Sequence, residues 1–273
     1  MSYVLGTHGA ERERLGRQHQ IWRSDSQAAW QRAGFLPGDR LLDLGCGPGF
    51  ASLDLAELVG AHGRVLAIDQ SHDYINHLQQ QAEAHRLPQL HSKTLNLAEP
   101  PSAEALGEIG AGSWDGAWCR WLCMFLNDLN PLLALTTTAL RPGGRLVLHE
   151  YIRWDSFSLH PQGEALGEFV RCCIQHWRQQ GGDPDVASRL PRLLEAQGLQ
   201  LISSRSLMAC SPTNQPKALW LQDFLGSYPL QLADAGLWSP EQQKALAQEL
   251  EEAKTHPSLW VTPALVEQIW IKP

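Results

Sequence analysis

Residues 41–49 (LLDLGCGPG) constrain the fold of this chain more than any other segment. Gly45, Gly47 and Gly49 follow a short apolar run and precede a segment with helical spacing. A glycine loop between a strand and a helix is typical of doubly wound α/β sheets, where it lets a ligand approach the backbone closely. The segment therefore predicts a ligand-binding loop at the carboxyl end of a buried strand.

The segments around this loop alternate between strand and helix patterns. Apolar runs and helical spacing predict strands at 40–44, 64–68, 91–95, 114–119, 145–149, 199–206 and 265–271, and helices at 11–33, 51–59, 72–86, 130–140, 161–180, 186–197, 216–233 and 239–254. Strands that alternate with helices indicate βαβ units and a mostly parallel sheet. The pattern predicts a Rossmann-like, doubly wound α/β fold with a mostly parallel seven-stranded sheet.

The length and the linkers favour one continuous fold. A chain of 273 residues is one large domain or one domain with an elaboration. No stretch rich in proline, glycine and serine separates the two halves. We expect a helical leader at 1–35, a ligand-binding core at 36–150, and a helical cover at 151–273 that also supplies the last two strands.

An acidic residue ends the second predicted strand. Asp69 lies where a carboxylate can bind the two ribose hydroxyls of a nucleoside. The dinucleotide pattern G-x-G-x-x-G needs its third glycine one residue later than Gly49, and Pro48 lacks the N–H that an anion cradle would use. The spacing favours a nucleoside without a pyrophosphate. A nicotinamide-dependent oxidoreductase is kept as the alternative.

Residues 43–49 resemble motif I of the class I S-adenosylmethionine-dependent methyltransferases. Residues 114–120 (WDGAWCR) and 140–146 (LRPGGRL) resemble later motifs of the same family. The resemblance implies S-adenosylmethionine as the cofactor, S-adenosylhomocysteine as its product, and no metal. It implies that the following residues bind the cofactor: Asp43, Gly45, Cys46, Gly47, Gly49, Asp69, Gln70, Asn96, Leu97 and Arg120.

The N-terminal residues resemble the leader of a small-molecule subgroup of these enzymes, which folds over the methionine end of the cofactor. The resemblance implies contacts from Tyr3, Arg14 and Gln18, with Arg14 near the methionine carboxylate. A solvated helix face is the alternative interpretation of this segment.

Methyl transfer from a sulfonium is an in-line displacement, and positioning can supply on the order of 7–11 kcal/mol of the barrier. A general base helps when the acceptor starts protonated. His149 and Glu150, at the end of the fifth predicted strand, and His8 in the leader are the candidates. The alternative for a strand-end histidine or glutamate is a hydrogen-bonding role only.

The tryptophans point to the acceptor. Eleven tryptophans outnumber the four tyrosines and six phenylalanines together. Trp121 and Trp154 follow the fourth and fifth predicted strands, and with Tyr151 they predict an apolar pocket or a cation–π cage. Residues 119–122 (CRWL) lack the proline-rich motif of nucleic-acid amino-methyltransferases and the acidic loop of arginine methyltransferases. We therefore expect a small organic acceptor.

The net charge, the apolar runs and the cysteines limit the expected partners and cellular location of the protein. A net charge of −7 disfavours nucleic acid, whose affinity comes mainly from lysine and arginine contacts to phosphates. No apolar run is long enough for a membrane span and no signal peptide is evident, so we expect a cytoplasmic monomer or homodimer. The six cysteines lie in apolar segments, which predicts buried free thiols. A non-catalytic cofactor-binding protein is the last alternative.

Overall fold

A computed structural model describes residues 9–161 and 163–273. Its strands are β1 (Arg40–Leu44), β2 (Arg64–Asp69), β3 (Leu90–Thr94), β4 (Trp114–Arg120), β5 (Leu140–Arg153), β6 (Ser158–His160), β7 (Gln200–Ser206), β8 (Cys210–Pro212), β9 (Leu259–Val261) and β10 (Ala264–Ile271). Seven of them form one sheet in the order β3-β2-β1-β4-β5-β10-β7. Only β10 runs against its neighbours β5 and β7. The predicted α/β fold with a mostly parallel seven-stranded sheet is confirmed.

Helices surround the sheet and both of its faces are buried. The helices are α1 (Gly9–Ala33), α2 (Phe50–Val59), α3 (His72–Ala84), α4 (Ala103–Ile109), α5 (Asn130–Ala139), α6 (Glu164–Gln179), α7 (Leu190–Ala196), α8 (Pro216–Asp234) and α9 (Pro240–Thr255). Successive side chains of a strand point to opposite faces. Leu42 and Leu44 of β1 accordingly join one apolar cluster, while Leu41 joins the other. Burial on both sides explains why the central strands β1 and β2 are mostly apolar, whereas the edge strands β3 and β7 are more exposed and more polar.

Four features differ from the sequence expectations. β6, β9 and β8 form a small antiparallel sheet within the predicted cover, and α4 was not predicted. The predicted helix at 186–197 is divided into a short 3-10 turn and α7. Cys210 is exposed and Cys46 and Cys172 are half-buried, so the prediction of buried thiols is wrong for these three residues, although all six cysteines are free.

The fifth strand continues past its predicted end at residue 149. β5 runs to Arg153 because β10 keeps pairing with it, with Glu267 opposite His149 and Val266 opposite Glu150. His149 and Glu150 therefore lie inside the strand and not at its end.

The sheet order determines where a ligand can bind. The chain passes from β1 to β2 on one side, whereas β4 lies on the other side of β1. The crevice at the carboxyl ends of such strands is the usual binding place in doubly wound sheets. α1 lies against α8, held by ion pairs of Arg17 with Asp223 at 2.8 Å and of Lys217 with Asp25 at 3.0 Å. Among the described residues, no helix is long and apolar enough to cross a membrane.

Candidate active site

A cavity of about 430 Å³ opens at the carboxyl ends of β1, β2, β3 and β4, beneath α1 and α8. Most of the predicted site residues line it: Arg14, Gln18, Asp43, Gly45, Cys46, Gly47, Asp69, Gln70, Asn96, Leu97, Arg120, Trp121, Tyr151 and Trp154. Gly49, His149 and Glu150 do not. Tyr3 and His8 lie outside the described residues. The residues predicted to bind the cofactor and those predicted to form an aromatic pocket therefore line one cavity, with the former at what is called here its nucleoside end and the latter at its aromatic end.

The three loop glycines adopt positive φ angles and serve different purposes. A Cβ on Gly47 would meet no atom within 4 Å, so this backbone is open to a ligand. A Cβ on Gly49 would lie 2.3 Å from Leu78 Cδ1, which means that Gly49 lets α2 begin close to α3. The expected cofactor contact of Gly49 is thus replaced by a packing role.

Asp69 ends β2 with both carboxylate oxygens held by the backbone. The Gly47 N–H donates to Oδ2 at 2.9 Å and the Ser71 N–H donates to Oδ1 at 2.9 Å. Burial raises the pKa of Asp69, and the backbone donors oppose that rise. Each oxygen keeps a lone pair for a further donor. The carboxylate is therefore fixed in position to accept hydrogen bonds from two vicinal hydroxyl groups.

The turn after β3 supplies an apolar wall. Leu97 is buried and lines the cavity. The Asn96 side chain holds this turn, because its Nδ2 donates to Glu99 at 2.8 Å and its Oδ1 accepts from the Ala98 N–H at 3.0 Å. A flat adenine ring can pack on Leu97, while Asn96 chiefly shapes the turn.

Arg120 at the end of β4 carries a charge without an ion-pair partner among the described residues. Its guanidinium donates to Ser26 Oγ at 2.9 Å and to His19 Nδ1 at 3.2 Å. Because His19 Nδ1 accepts, its Nε2 carries the proton and donates to Asp54 at 3.2 Å. Burial lowers the pKa of Arg120 to about 10 and lowers the pKa of His19. The cavity thus holds a cation suited to a ligand carboxylate.

Asp43 is a further buried charged residue at the nucleoside end of the cavity. Ser52 Oγ donates to its Oδ2 at 2.6 Å. Burial raises the pKa of Asp43 to about 6, and the nearby positive charge of Arg120 opposes that rise. Asp43 and Arg120 therefore stabilise each other through the low-dielectric interior without direct contact.

Arg14 lines the cavity but is already paired. Its guanidinium donates two hydrogen bonds to Glu11, at 2.8 and 2.7 Å, and one to Gln18 at 3.0 Å. Gln18 Oε1 also accepts from the Trp220 indole at 2.8 Å. Arg14 is buried, so the solvated-face interpretation is wrong for it. The arrangement fastens α1 to α8 above the cavity.

Aromatic rings form the other end of the cavity. Trp121 lies nearly parallel to Tyr151, with centroids 6.2 Å apart, and to Trp220, with centroids 5.7 Å apart. Trp154 meets Tyr151 edge to face at 6.3 Å and Trp177 at 4.6 Å. The sequence analysis missed Trp177, Trp220, Leu221 and Phe224 of α6 and α8 as lining residues. Their apolar character was visible, but the direction in which each helix faces was not.

His149 and Glu150 lie behind the cavity wall. His149 Nε2 is 3.3 Å from Glu267 and its ring packs against Trp118 at 4.7 Å. Burial lowers the pKa of His149. Glu150 Oε1 accepts from the backbone N–H groups of Leu122 and Cys123, each at 2.8 Å. Both residues hold neighbouring elements in place, and neither touches the cavity.

Comparison with known proteins decides the family. A family model described as a methyltransferase domain matches residues 36–214. The chain belongs to this methyltransferase family. The sequence motifs predicted the class I S-adenosylmethionine-dependent methyltransferases, and this match confirms that family. The interpretation as a nicotinamide-dependent oxidoreductase is therefore wrong.

Sequence relatives match about half of the chain. A demethylmenaquinone methyltransferase of Lactococcus lactis is 31% identical over 134 residues, which are 49% of this chain and 49% of that protein. A 2-phytyl-1,4-naphthoquinone methyltransferase of Synechococcus elongatus is 25% identical over 163 residues, 58% of this chain and 61% of that protein. An uncharacterised protein of a Streptomyces fradiae transposon is 33% identical over 136 residues, 50% of this chain and 36% of that protein.

Solved structures share the fold over nearly the whole chain. Geranyl diphosphate C-methyltransferase of Streptomyces coelicolor superposes with a TM-score of 0.60 at 16% identity, covering 99% of this chain and 87% of that one. A phosphoethanolamine N-methyltransferase of Haemonchus contortus gives a TM-score of 0.57 at 15% identity, covering 95% of this chain and 57% of that one. At these identities the likeness establishes the fold alone.

Proposed function

We propose that this enzyme transfers a methyl group to an O, N or C nucleophile of a small organic molecule bound at the aromatic end of the cavity. The observation that carries the proposal is the continuity of one cavity from Asp69 and Gly47 to Trp121 and Trp154. When bound, the cofactor supplies an electrophilic methyl group on a sulfonium. The quinone-ring methyltransferases among the sequence relatives support a small acceptor.

The residues of the nucleoside end fit this cofactor. Asp69 would accept hydrogen bonds from the ribose hydroxyls, Leu97 would pack on the adenine, and the open backbone at Gly47 would leave room for the ribose and the methionine chain attached to it. Arg120 is suited to the methionine carboxylate, since its guanidinium has only neutral partners. Contacts at several points of the cofactor would fix the position of its methyl group relative to the acceptor. Such positioning can lower the activation barrier by on the order of 7–11 kcal/mol.

The leader and the cover exclude water from the reacting atoms. The hydrogen bond from Trp220 to Gln18 and the ion pair of Lys217 with Asp25 hold α1 against α8 over the cavity. A closed apolar site strengthens the electrostatic contacts within it. The chain's contribution to the reaction is therefore mainly orientation and exclusion of water.

No described residue at the aromatic end is suited to act as a general base. Tyr151 is the titratable side chain there, and burial raises its pKa further. We infer that His149 and Glu150 act as positioning residues, whereas His8 stays a candidate from the sequence. The cytoplasmic location, the monomeric or homodimeric state and the lack of a nucleic-acid partner also stay predictions.

Calorimetry with S-adenosylhomocysteine tests the cofactor site. Asp69→Ala should weaken binding by at least about 10- to 100-fold, because the loss of even one charge-assisted hydrogen bond costs about 1.5–3 kcal/mol. The exposed Asp234→Ala serves as the control. Unchanged affinity of the Asp69 variant would refute the ribose assignment. Transfer of a labelled methyl group to any member of a small-molecule panel tests catalysis, and binding without transfer to any of them would support the non-catalytic alternative.

A further inference from the structure

We infer that the methyl acceptor is an uncharged, apolar ring compound and not a phosphorylated or carboxylated one. This inference rests on the proposed function, because it concerns the aromatic end of the same cavity. It follows from the shape of that end and from the distribution of charge around it.

The acceptor end is a continuous surface of aromatic rings. Trp154 is the centre of this aromatic wall, with Tyr151 at 6.3 Å, Trp177 at 4.6 Å and Phe224 at 5.8 Å between ring centroids. Trp177 and Phe224 also contact each other at 6.1 Å. Rings prefer edge-to-face and offset contacts at these separations. The wall therefore offers apolar faces and edges to a flat molecule.

The wall presents few polar atoms. The indole nitrogens of Trp121 and Trp177 are buried and have no hydrogen-bond partner among the described residues. Leu126, Leu221 and Pro263 also line the cavity. Binding of an apolar ligand to such a surface is favourable by roughly 25 cal/mol for each Å² of apolar area that is removed from water.

With the cofactor bound, an anionic acceptor would find no uncommitted cation at this wall. Among the described residues, the arginines and lysines that line the cavity are Arg14 and Arg120. Arg14 is paired with Glu11. Arg120 lies 4.8 Å from the centroid of the Trp121 ring, but its charge is the one assigned above to the methionine carboxylate of the cofactor. Lys217 of α8 points instead to Asp25 and to the face of Trp22, 3.9 Å from the ring centroid.

Burying an unpaired phosphate or carboxylate costs several kcal/mol even after relaxation. The structure thus disfavours acceptors that carry such groups into the aromatic end.

Within the part of the chain that the structure describes, a cationic acceptor also lacks an ionic partner at the aromatic end. Asp43 and Asp69 lie at the nucleoside end, where backbone and side-chain donors hold them. Glu99 and Asp128 line the cavity but are exposed at its mouth. Only the aromatic faces remain to stabilise an ammonium group. An uncharged ring avoids both the cost of burying an unpaired anion and the cost of burying an unpaired cation.

Three matched naphthalene probes test the inference on the full-length protein saturated with S-adenosylhomocysteine. They are 2-naphthol, 2-naphthyl phosphate and 2-naphthylmethylammonium, which share one ring system and differ in charge. Calorimetry should show that 2-naphthol binds at least about tenfold more tightly than either charged probe, because a buried unpaired charge is costly. Equal or tighter binding of the phosphate or the ammonium would overturn the inference, as would a lack of 2-naphthol binding.

A variant that adds the missing cation provides an independent check. Leu126→Arg places a guanidinium at the half-buried rim of the aromatic wall. The ratio of phosphate to naphthol affinity should rise at least about tenfold, since charged hydrogen bonds contribute about 1.5–3 kcal/mol. Leu36→Arg, on an exposed leucine remote from the cavity, should leave the ratio unchanged. An unchanged ratio in the Leu126 variant would count against the electrostatic reasoning.

The same experiment separates the two proposals. Binding of S-adenosylhomocysteine is measured first, and its failure would refute the proposed function. If S-adenosylhomocysteine binds and the three probes bind equally, the cofactor assignment stands and only the inference about the acceptor is wrong.

Discussion

Glu150→Gln should stabilise the protein relative to the wild type, and this stabilisation should be larger at alkaline pH than at acidic pH. Glu150 is completely buried in β5. Its Oε1 accepts from two backbone N–H groups, whereas its Oε2 has no hydrogen-bond partner. Burial raises the pKa of Glu150 from 4.5 to about 7. Glutamine keeps the size and the acceptor of the side chain but cannot ionise.

The magnitude follows from proton linkage. Because the folded-state pKa of Glu150 is raised, the folded state favours the protonated carboxyl group. The associated stability is complete below about pH 4.5 and is lost as the pH rises through about 7. The difference between the two pKa values corresponds to about 3 kcal/mol in the free energy of unfolding.

Urea unfolding at two pH values measures this effect. The unfolding free energy of Glu150→Gln minus that of the wild type should increase by about 2–3 kcal/mol between about pH 5 and pH 8. Other titrating groups, including Asp43, cancel in this comparison. The exposed Glu83→Gln is the control and should show no such change. A difference that stays constant with pH would refute the reasoning that Glu150 is protonated by burial.

Two further predictions separate neighbouring residues of the cofactor end. Gly49→Ala should lower the melting temperature more than Gly47→Ala, because its Cβ would lie 2.3 Å from Leu78 Cδ1 whereas position 47 is open. Gly47→Ala should chiefly weaken S-adenosylhomocysteine binding, and equal melting temperatures for the two variants would contradict these roles. Arg120→Met should reduce that affinity at least about tenfold by calorimetry. Arg14→Met should reduce it less, since Arg14 is already ion-paired, and the reverse order would point to Arg14 as the carboxylate partner.

Local sequence signals were sufficient for the cofactor half of the enzyme. The glycine loop and Asp69 act through backbone conformation and through the ends of adjacent strands, which a contiguous motif encodes directly. Gly47 and Asp69 meet because parallel β1 and β2 end at the same edge of the sheet. Helix and strand periodicity then determined the alternation of elements, since both faces of a parallel sheet must be apolar.

Long-range pairing decided what the sequence analysis missed. β6 pairs with β9 about one hundred residues later, and β10 extends β5 beyond its predicted end. Neither pairing leaves a local signal. His149 and Glu150 were expected at the site because the predicted strand ended there. The structure turns both into the protein, where Glu267 and two backbone N–H groups hold them.

The sequence by itself determined the α/β class and the motifs of the methyltransferase family, because both depend on short-range spacing. Only the tertiary structure decided the acceptor end. Trp154 directly follows β5, Trp177 belongs to α6 and Phe224 belongs to α8. Their rings come into contact only when these elements pack together. Which face each helix buries depends on the partners it finds. The chemistry of the acceptor pocket is therefore a property of the folded chain and not of any single segment.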